Sequence, residues 1–174
     1  TARHAAVSAP TELQPIGLLA DAGGHRMNMA NHTPLARRSY AAAGPRPLTI
    51  ASLGTSMNAG KTTSAAYLVR GLVRAGLRVG AAKITGTGSG NDPGLLRDAG
   101  AELVLDFTDA GYASTAGLDL HTLLKILTQV QGTMAEQGIQ VLVMEVADGL
   151  LQRETSMLLM SPRFAQRVDA SLFS

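Results

Sequence analysis

Residues 54–63 read Gly-Thr-Ser-Met-Asn-Ala-Gly-Lys-Thr-Thr, and each residue type suits one task at a phosphate. Gly60 lets the backbone come close to an anion. The amides of Gly54, Thr55, Ser56, Met57, Asn58 and Ala59 can turn toward it, aided by the dipole of a following helix. Lys61 is placed to reach β- and γ-phosphates, and the Thr62 hydroxyl, followed by Thr63, to ligate Mg²⁺. The strict form of such a loop carries glycine five residues before the second one, but that position is Thr55 here and Gly54 comes one step earlier. An ordinary glycine-rich turn between strand and helix is the plainer alternative. Context favours the phosphate loop, because a buried strand precedes it and an amphipathic helix follows.

Three further residues have types and positions that suit chemistry. Lys83 ends a strand-like run, at the edge where parallel α/β sheets bind ligands, and glycines and Thr85 follow it. A solvated lysine at a strand end is the bland version. Glu145 follows Val-Leu-Val-Met, so its carboxylate lies at the end of a buried strand, where it is costly unless it meets a metal or a cation. Mg²⁺ contact, direct or through water, is the expectation for it. Asp92 is either a Mg²⁺ ligand, direct or indirect, or simply part of an Asn-Asp-Pro turn. Asp148 either shares the metal or caps the next helix. Asp106, Thr108, Asp109, Ser114 and Thr115 either face a second substrate or, more plainly, form a surface loop. His4, His25, His32 and His121 show no ligand spacing, and Met157 and Met160 read as core filler.

The elements that must position these residues alternate strand and helix from Leu48 onward, the mark of a parallel sheet. Strands are predicted over 48–53, 77–84, 102–107 and 139–146, with a last one at 168–173. The helix over 61–75 carries Ala65, Leu68, Val69, Leu72 and Val73 on one face, and Gly76 ends it. A short helix is predicted over 93–99, ended by Gly100. A longer one over 119–137 points Leu120, Leu123, Leu124, Leu127, Val130 and Met134 inward and stops at Gly138. A further helical stretch covers 152–160. The fold class predicted is a three-layer α/β P-loop domain over 48–174 with a mostly parallel sheet. Before it, residues 1–14 read as a tail, 15–29 as a hairpin around the turn at 21–24, and 31–47 as a linker. Together, 1–47 suggest the remnant of an upstream domain. The ends at Thr1 and Ser174 suggest a piece of a longer protein, with the C-terminal side of the domain cut.

Composition sets the bounds. Of 174 residues, 45% are hydrophobic and 16% charged, enough to build a core, and aromatics at 3% leave that core to aliphatic side chains and Met. The absence of cysteine excludes disulfides and thiolate metal sites and agrees with a cytoplasmic address. No stretch is long and apolar enough for a membrane span, and no signal-peptide order is present. The pI near 9.3 comes with a formal charge of only +2. Its basic residues are scattered, which argues against nucleic acid as a partner.

The shifted Gly54-Thr55 opening, with Gly60-Lys61-Thr62, resembles the phosphate loop of dethiobiotin synthetase and related amide-forming and kinase-like P-loop enzymes. Lys83-Ile84-Thr85-Gly86-Thr87-Gly88 resembles that family's Lys-x-x-x-Thr-Gly stretch, one spacer shorter. Glu145-Val146-Ala147-Asp148-Gly149-Leu150-Leu151 is similar to its Glu-Gly-Ala-Gly-Gly-Leu-Leu, with Val146 and Asp148 in place of glycines. The likeness covers about residues 48–151. It implies that Lys83 helps to hold substrate and transferred phosphoryl group and that Glu145 helps to bind the metal. A second resemblance runs through residues 76–83, Asp92-Pro93-Gly94 and 97–102, to the GTP-binding molybdopterin-guanine dinucleotide adapter proteins. Both families set the acidic metal-site strand beside the phosphate-loop strand.

The sequence thus predicts an enzyme that uses ATP, or GTP, with Mg²⁺ to phosphorylate a small acceptor, with Lys61 and Lys83 as catalytic residues and Thr62, Glu145 and Asp92 at the metal. The alternatives are a GTP-binding adapter or metallochaperone-like protein acting through a partner, and an acyltransferase whose P-loop holds coenzyme A. A homodimer is left open.

Overall fold

A computed structural model of the chain describes residues 12–33, 35, 46–88 and 91–174. Five strands, β1 (Leu48–Leu53), β2 (Val79–Thr85), β3 (Leu103–Asp106), β4 (Val141–Val146) and β5 (Ala170–Phe173), form one sheet in the order β3-β2-β4-β1-β5. Every pairing is parallel. Parallel strands need crossovers, and helices α1 (Lys61–Arg74), α2 (Asn91–Asp98), α3 (Leu120–Glu136), α4 (Arg153–Leu159) and α5 (Pro162–Ala165) lie along the connections. This is the α/β P-loop fold, with β1, which leads into the phosphate loop, set between β4 and β5.

Two apolar clusters show why the sheet is covered on both faces. On one, Val79 and Ala81 of β2, Val104 of β3 and Val143 of β4 meet Ala65, Ala66 and Val69 of α1 and Leu96 of α2. On the other, Ala82, Ile84, Leu142 and Met144 meet Leu123, Ile126, Leu127, Val130 and Met134 of α3, with Leu158 of α4 and Phe164 of α5. The alternation along β2 and β4 is the period of two that a strand imposes. Each buried aliphatic side chain contributes about 1.5–3 kcal/mol of transfer free energy. β2 and β4 show no exposed position at all, as suits their small and apolar runs up to Lys83 and Glu145 near their carboxyl ends.

Helix ends follow the predicted glycines. After α1, Gly76 adopts φ +83° and its amide donates to the Val73 carbonyl while the Leu77 amide donates to Leu72, closing the helix with two bonds. The α3 helix opens on Asp119, whose carboxylate accepts from the Thr122 amide at 2.8 Å.

Several expectations shift. The short helix begins at Asn91, two residues before Pro93, because proline is readily accepted in a first turn. The four-residue α5, with Pro162 at its start, lay inside what the sequence presents as a connection. Met160 is 81% exposed and fills no core, whereas Met157 packs against it. Residues 15–29 do turn back, with the Met27 amide donating to Leu19 and the Asp21 amide to His25. Only one antiparallel bridge forms there, Ala20 with Arg26, and a 3-10 turn at Met29–Asn31 follows. Much of that turn's apolar surface is exposed, so no face exists to hold a longer ladder. Within the expected linker, Leu35 is buried and its backbone pairs with the Asp109 carbonyl and the Gln129 side chain. Residues 1–11 of the expected tail over 1–14, and residues 34 and 36–45 of that linker, lie outside the described residues. Among the described residues no helix is long and apolar enough to cross a membrane.

Candidate functional site

The carboxyl end of the sheet collects the polar residues in one row. Strand register sets Lys83 of β2 beside Asp106 of β3 on one side and Glu145 of β4 on the other, and Glu145 beside Ser52 of β1. In-register residues of parallel strands point to the same face, here the one covered by α1 and α2. All four are buried. Charged groups at that depth need partners.

Ser52 supplies the first link. Its hydroxyl donates to the Lys61 carbonyl at 2.9 Å, tying the end of β1 to the start of α1 across the phosphate loop. Within the loop, Gly60 takes φ +96° and Asn58 φ +64°, left-handed conformations that turn the chain into the helix. Gly60 is the N-cap and offers no side chain to the amides of the first turn of α1, in contrast to Asp119 at α3. No acidic residue stands in that first turn either. Its orphan amides and positive dipole end are therefore presented as an anion site.

Lys61 explains the displaced glycine. Its side chain folds back over the loop, and the ammonium donates to the Ser56 carbonyl at 2.7 Å. A Cβ on Gly54 would stand 2.8 Å from Lys61 Cγ and 3.1 Å from its Cδ. Gly54 is thus the residue that the lysine stem requires, and Thr55 has no such constraint. The same loop is backed by the turn after β4. A Cβ on Gly149 would stand 2.6 Å from the Thr55 carbonyl oxygen and 2.8 Å from Ser56 Cα.

Thr62 and Glu145, both expected at a metal, meet: the hydroxyl donates to the carboxylate at 2.8 Å. Burial raises the Glu145 pKa, opposed first by the nearby Lys83 charge and then by the Thr62 hydrogen bond. Burial likewise lowers the Lys61 pKa, with Glu145 and Asp148 acting against it. The Lys83 ammonium forms an ion pair with the Asp92 carboxylate in the first turn of α2. The two lysines, Glu145 and Asp92 line one cavity of about 660 Å³ with Met57, Asn58, Gly60, Thr62, Thr63, Asn91, Leu95 and Asp148. That volume suits a nucleotide-sized ligand.

The donor set fits Mg²⁺. Among the described residues no group of three His, Cys, Asp or Glu side chains could hold a metal. One carboxylate and one hydroxyl side by side are what Mg²⁺ uses when phosphates and water complete its octahedron. Asp148 faces the cavity and does not cap α4, whose N-cap is Gln152. Asp92 is brought to Lys83, and nothing beyond the shared cavity links it to Thr62.

The 106–115 segment is more than a surface loop. Asp106, Phe107, Ala110 and Thr115 are buried. The Thr115 hydroxyl accepts from the Gly86 amide at 2.8 Å, and the Thr115 amide donates to the Gly86 carbonyl at 2.9 Å. It braces the turn after β2 and does not line the cavity. Sequence reasoning passed over Ser52, had Gly149 only within a family-like motif, and had Thr115 as a second-substrate or surface-loop residue and not as the brace of the Gly86 turn. A hydroxyl inside the apolar run of β1 was the available signal for the first.

No protein-family model matches the chain, and no curated protein is similar to it in sequence. Among solved structures it is similar to the 54 kDa protein of the signal recognition particle from Aeropyrum pernix K1, in complex with GDP. The identity is 17%, the coverage 83% of this chain and 32% of that one, and the TM-score 0.49. It is also similar to the signal recognition particle receptor FtsY from Elizabethkingia anophelis, in complex with GDP, at 15% identity, 79% and 40% coverage, and a TM-score of 0.48. The chain thus spans about a third to two fifths of those structures. The fold is read from the strand order and the loop, not from these likenesses.

Proposed function

We propose that the chain binds a Mg-nucleoside triphosphate and transfers its γ-phosphoryl group to a small acceptor, as a kinase- or ligase-like enzyme of the dethiobiotin synthetase kind. The observation that carries this reading is a second buried lysine, Lys83, on the wall of the cavity that holds Lys61, Thr62 and Glu145. Binding alone needs the loop amides and Lys61; a further cation is what a transferring phosphoryl group requires.

The roles divide accordingly. The amides of the loop and of the first turn of α1 hold the β- and γ-phosphates, with Lys61 among them. Thr62 and Glu145 hold Mg²⁺, which when bound neutralises charge on the phosphate oxygens. Lys83 faces the group in transfer, where the bond from the γ-phosphorus to its bridging oxygen breaks as the bond to the acceptor forms. The nucleoside diphosphate leaves with the bridging oxygen. Catalysis of this type is positioning plus charge neutralisation.

Two variants test it. Lys61→Ala is expected to abolish Mg-nucleotide binding in calorimetry, and unchanged affinity would refute the central claim. Lys83→Met is expected to reduce turnover about 10²–10³-fold, as the loss of one preorganised charge does, with little change in nucleotide affinity. Normal turnover in that variant, with binding of a protein partner weakened instead, would replace the enzyme by a nucleotide-dependent adapter.

A further inference from the structure

Lys83 is held from two sides by different kinds of structure. Its stem runs under the turn after β2: a Cβ on Gly86 would stand 3.0 Å from Lys83 Cε. Thr115 fixes that turn through both backbone groups of Gly86. The tip of the side chain instead meets Asp92 on α2.

The two holds differ in firmness. Of the eight residues of α2, only Leu96 is buried, packed in the cluster formed with α1. Asn91 and Leu95 are exposed, and Asp92, Pro93 and Gly94 are half-buried. The carboxyl half of the helix is thus anchored by an apolar side chain, and the amino half by the ion pair. Dissolving that pair leaves the stem of Lys83 where Gly86 and the sheet put it, frees the ammonium at its tip, and leaves the first turn of α2 without its tie.

We propose that Asp92 is a positioning residue that keeps the Lys83 ammonium at the cavity wall and is displaced from it by the terminal phosphate of a triphosphate, freeing the first turn of α2. This rests on the phosphoryl-transfer reading of the cavity. It adds that the site distinguishes a triphosphate from a diphosphate through a competitor built into α2. The competition is between two anions for one cation, and it costs the triphosphate affinity in proportion to the strength of the pair.

Asp92→Asn keeps the shape and removes the charge. Calorimetry with the Mg-triphosphate and Mg-diphosphate of the better-bound base is the first measurement. Triphosphate affinity is expected to rise about tenfold and diphosphate affinity to change less than about twofold. Asp92→Glu should restore the parent ratio. Equal rises for both nucleotides, or losses for both as a metal ligand at Asp92 would give, overturn the inference. The second measurement is amide hydrogen exchange at residues 95–98, whose amides bond to the carbonyls of the first turn, without nucleotide, expected about tenfold faster in Asp92→Asn than in the parent. Saturating triphosphate, but not diphosphate, should produce the same acceleration in the parent. A parent that binds triphosphate without any change in α2 exchange overturns the inference and leaves the proposed function standing. A parent that binds neither nucleotide overturns the proposed function and this handover with it.

Discussion

Gly149→Ala tests whether the turn after β4 sets the shape of the phosphate loop. Gly149 does not sit in the left-handed region, so alanine's backbone is permitted there and only space decides. The new Cβ would stand 2.6 Å from the Thr55 carbonyl oxygen, 2.8 Å from Ser56 Cα and 3.1 Å from the Ser56 amide nitrogen, where ordinary contact begins at 3.4 Å. All three are backbone atoms of the phosphate loop, so no side chain can swing away. The carbonyl would have to withdraw by about 0.8 Å, a displacement beyond the roughly 0.5 Å within which a binding constellation stays productive. If the loop yields, nucleotide affinity falls about 10–100-fold, the scale of a loss from an ångström of misplacement. If the turn yields instead, overpacking costs about 1–3 kcal/mol of stability. Calorimetry with Mg-nucleotide and urea unfolding on the same sample separate the two. Gly71→Ala is the control: it lies exposed in α1 with nothing within 4 Å of its Cβ position, and should stabilise by about 0.4–1 kcal/mol with affinity intact. Unchanged affinity and stability in Gly149→Ala would refute the argument that the two loops are in obligatory contact.

Two further outcomes are expected. In Glu145→Gln, nucleotide affinity should lose its Mg²⁺ dependence while metal-free binding holds or improves. In the parent, Mg²⁺ affinity should decline in acid already above the usual carboxylate range, because burial raises the Glu145 pKa; identical titrations would make Glu145 structural. The second concerns Asp169, which accepts from the Arg46 guanidinium at 2.8 Å and from the Thr49 amide at 2.7 Å and whose pKa is lowered to about 2. A depressed carboxylate stabilises the fold above its unfolded pKa and loses that contribution as pH falls toward 2. Discounted for a side chain 37% exposed, the loss is about 1 kcal/mol. Asp169→Asn, followed by urea unfolding between pH 5 and 2, should remove that part of the acid dependence, and parallel curves would contradict it.

What was legible in the sequence depended on whether the deciding interaction is local. The strand Leu48–Leu53 and the helix from Lys61 have the predicted limits, to within a residue, because an apolar run and a face repeated every turn act over adjacent residues. Glycines 76, 100 and 138 all take positive φ at helix ends, as local backbone freedom dictates. Lys61 and Thr62 were legible as candidates from the Gly-Lys-Thr loop between strand and helix, Lys83 and Glu145 because charge at a strand end is conspicuous, and Asp92 from its Asn-Asp-Pro setting. Their pairing was not. That Asp92 meets Lys83, or that Gly54 clears the stem of Lys61, follows from how α1 and α2 pack on the sheet, which no spacing encodes. The same holds for Thr115, 29 residues from Gly86, whose value lies in one turn it braces. Helix α5 failed for the opposite reason: four residues are too few to show a period.

The charges of the cavity explain why phosphate and metal have to be considered together. Its lining has two lysines, Lys61 and Lys83, against three carboxylates, Asp92, Glu145 and Asp148. With all five ionised, the wall has a net charge of −1, and a nucleoside triphosphate is itself strongly anionic. The loop amides offset part of that repulsion, but Lys83 is engaged by Asp92 and Lys61 is bonded to a loop carbonyl. On the proposed reading, a divalent cation on Thr62 and Glu145 would reverse the sign of the wall where the phosphates would bind. The buried carboxylate, costly by itself, would then be the feature that makes nucleotide binding conditional on metal, as the Glu145→Gln variant tests. The Lys83–Asp92 pair, whose lysine is on the strand next to that of Glu145, keeps a cation inside the cavity without leaving it uncompensated.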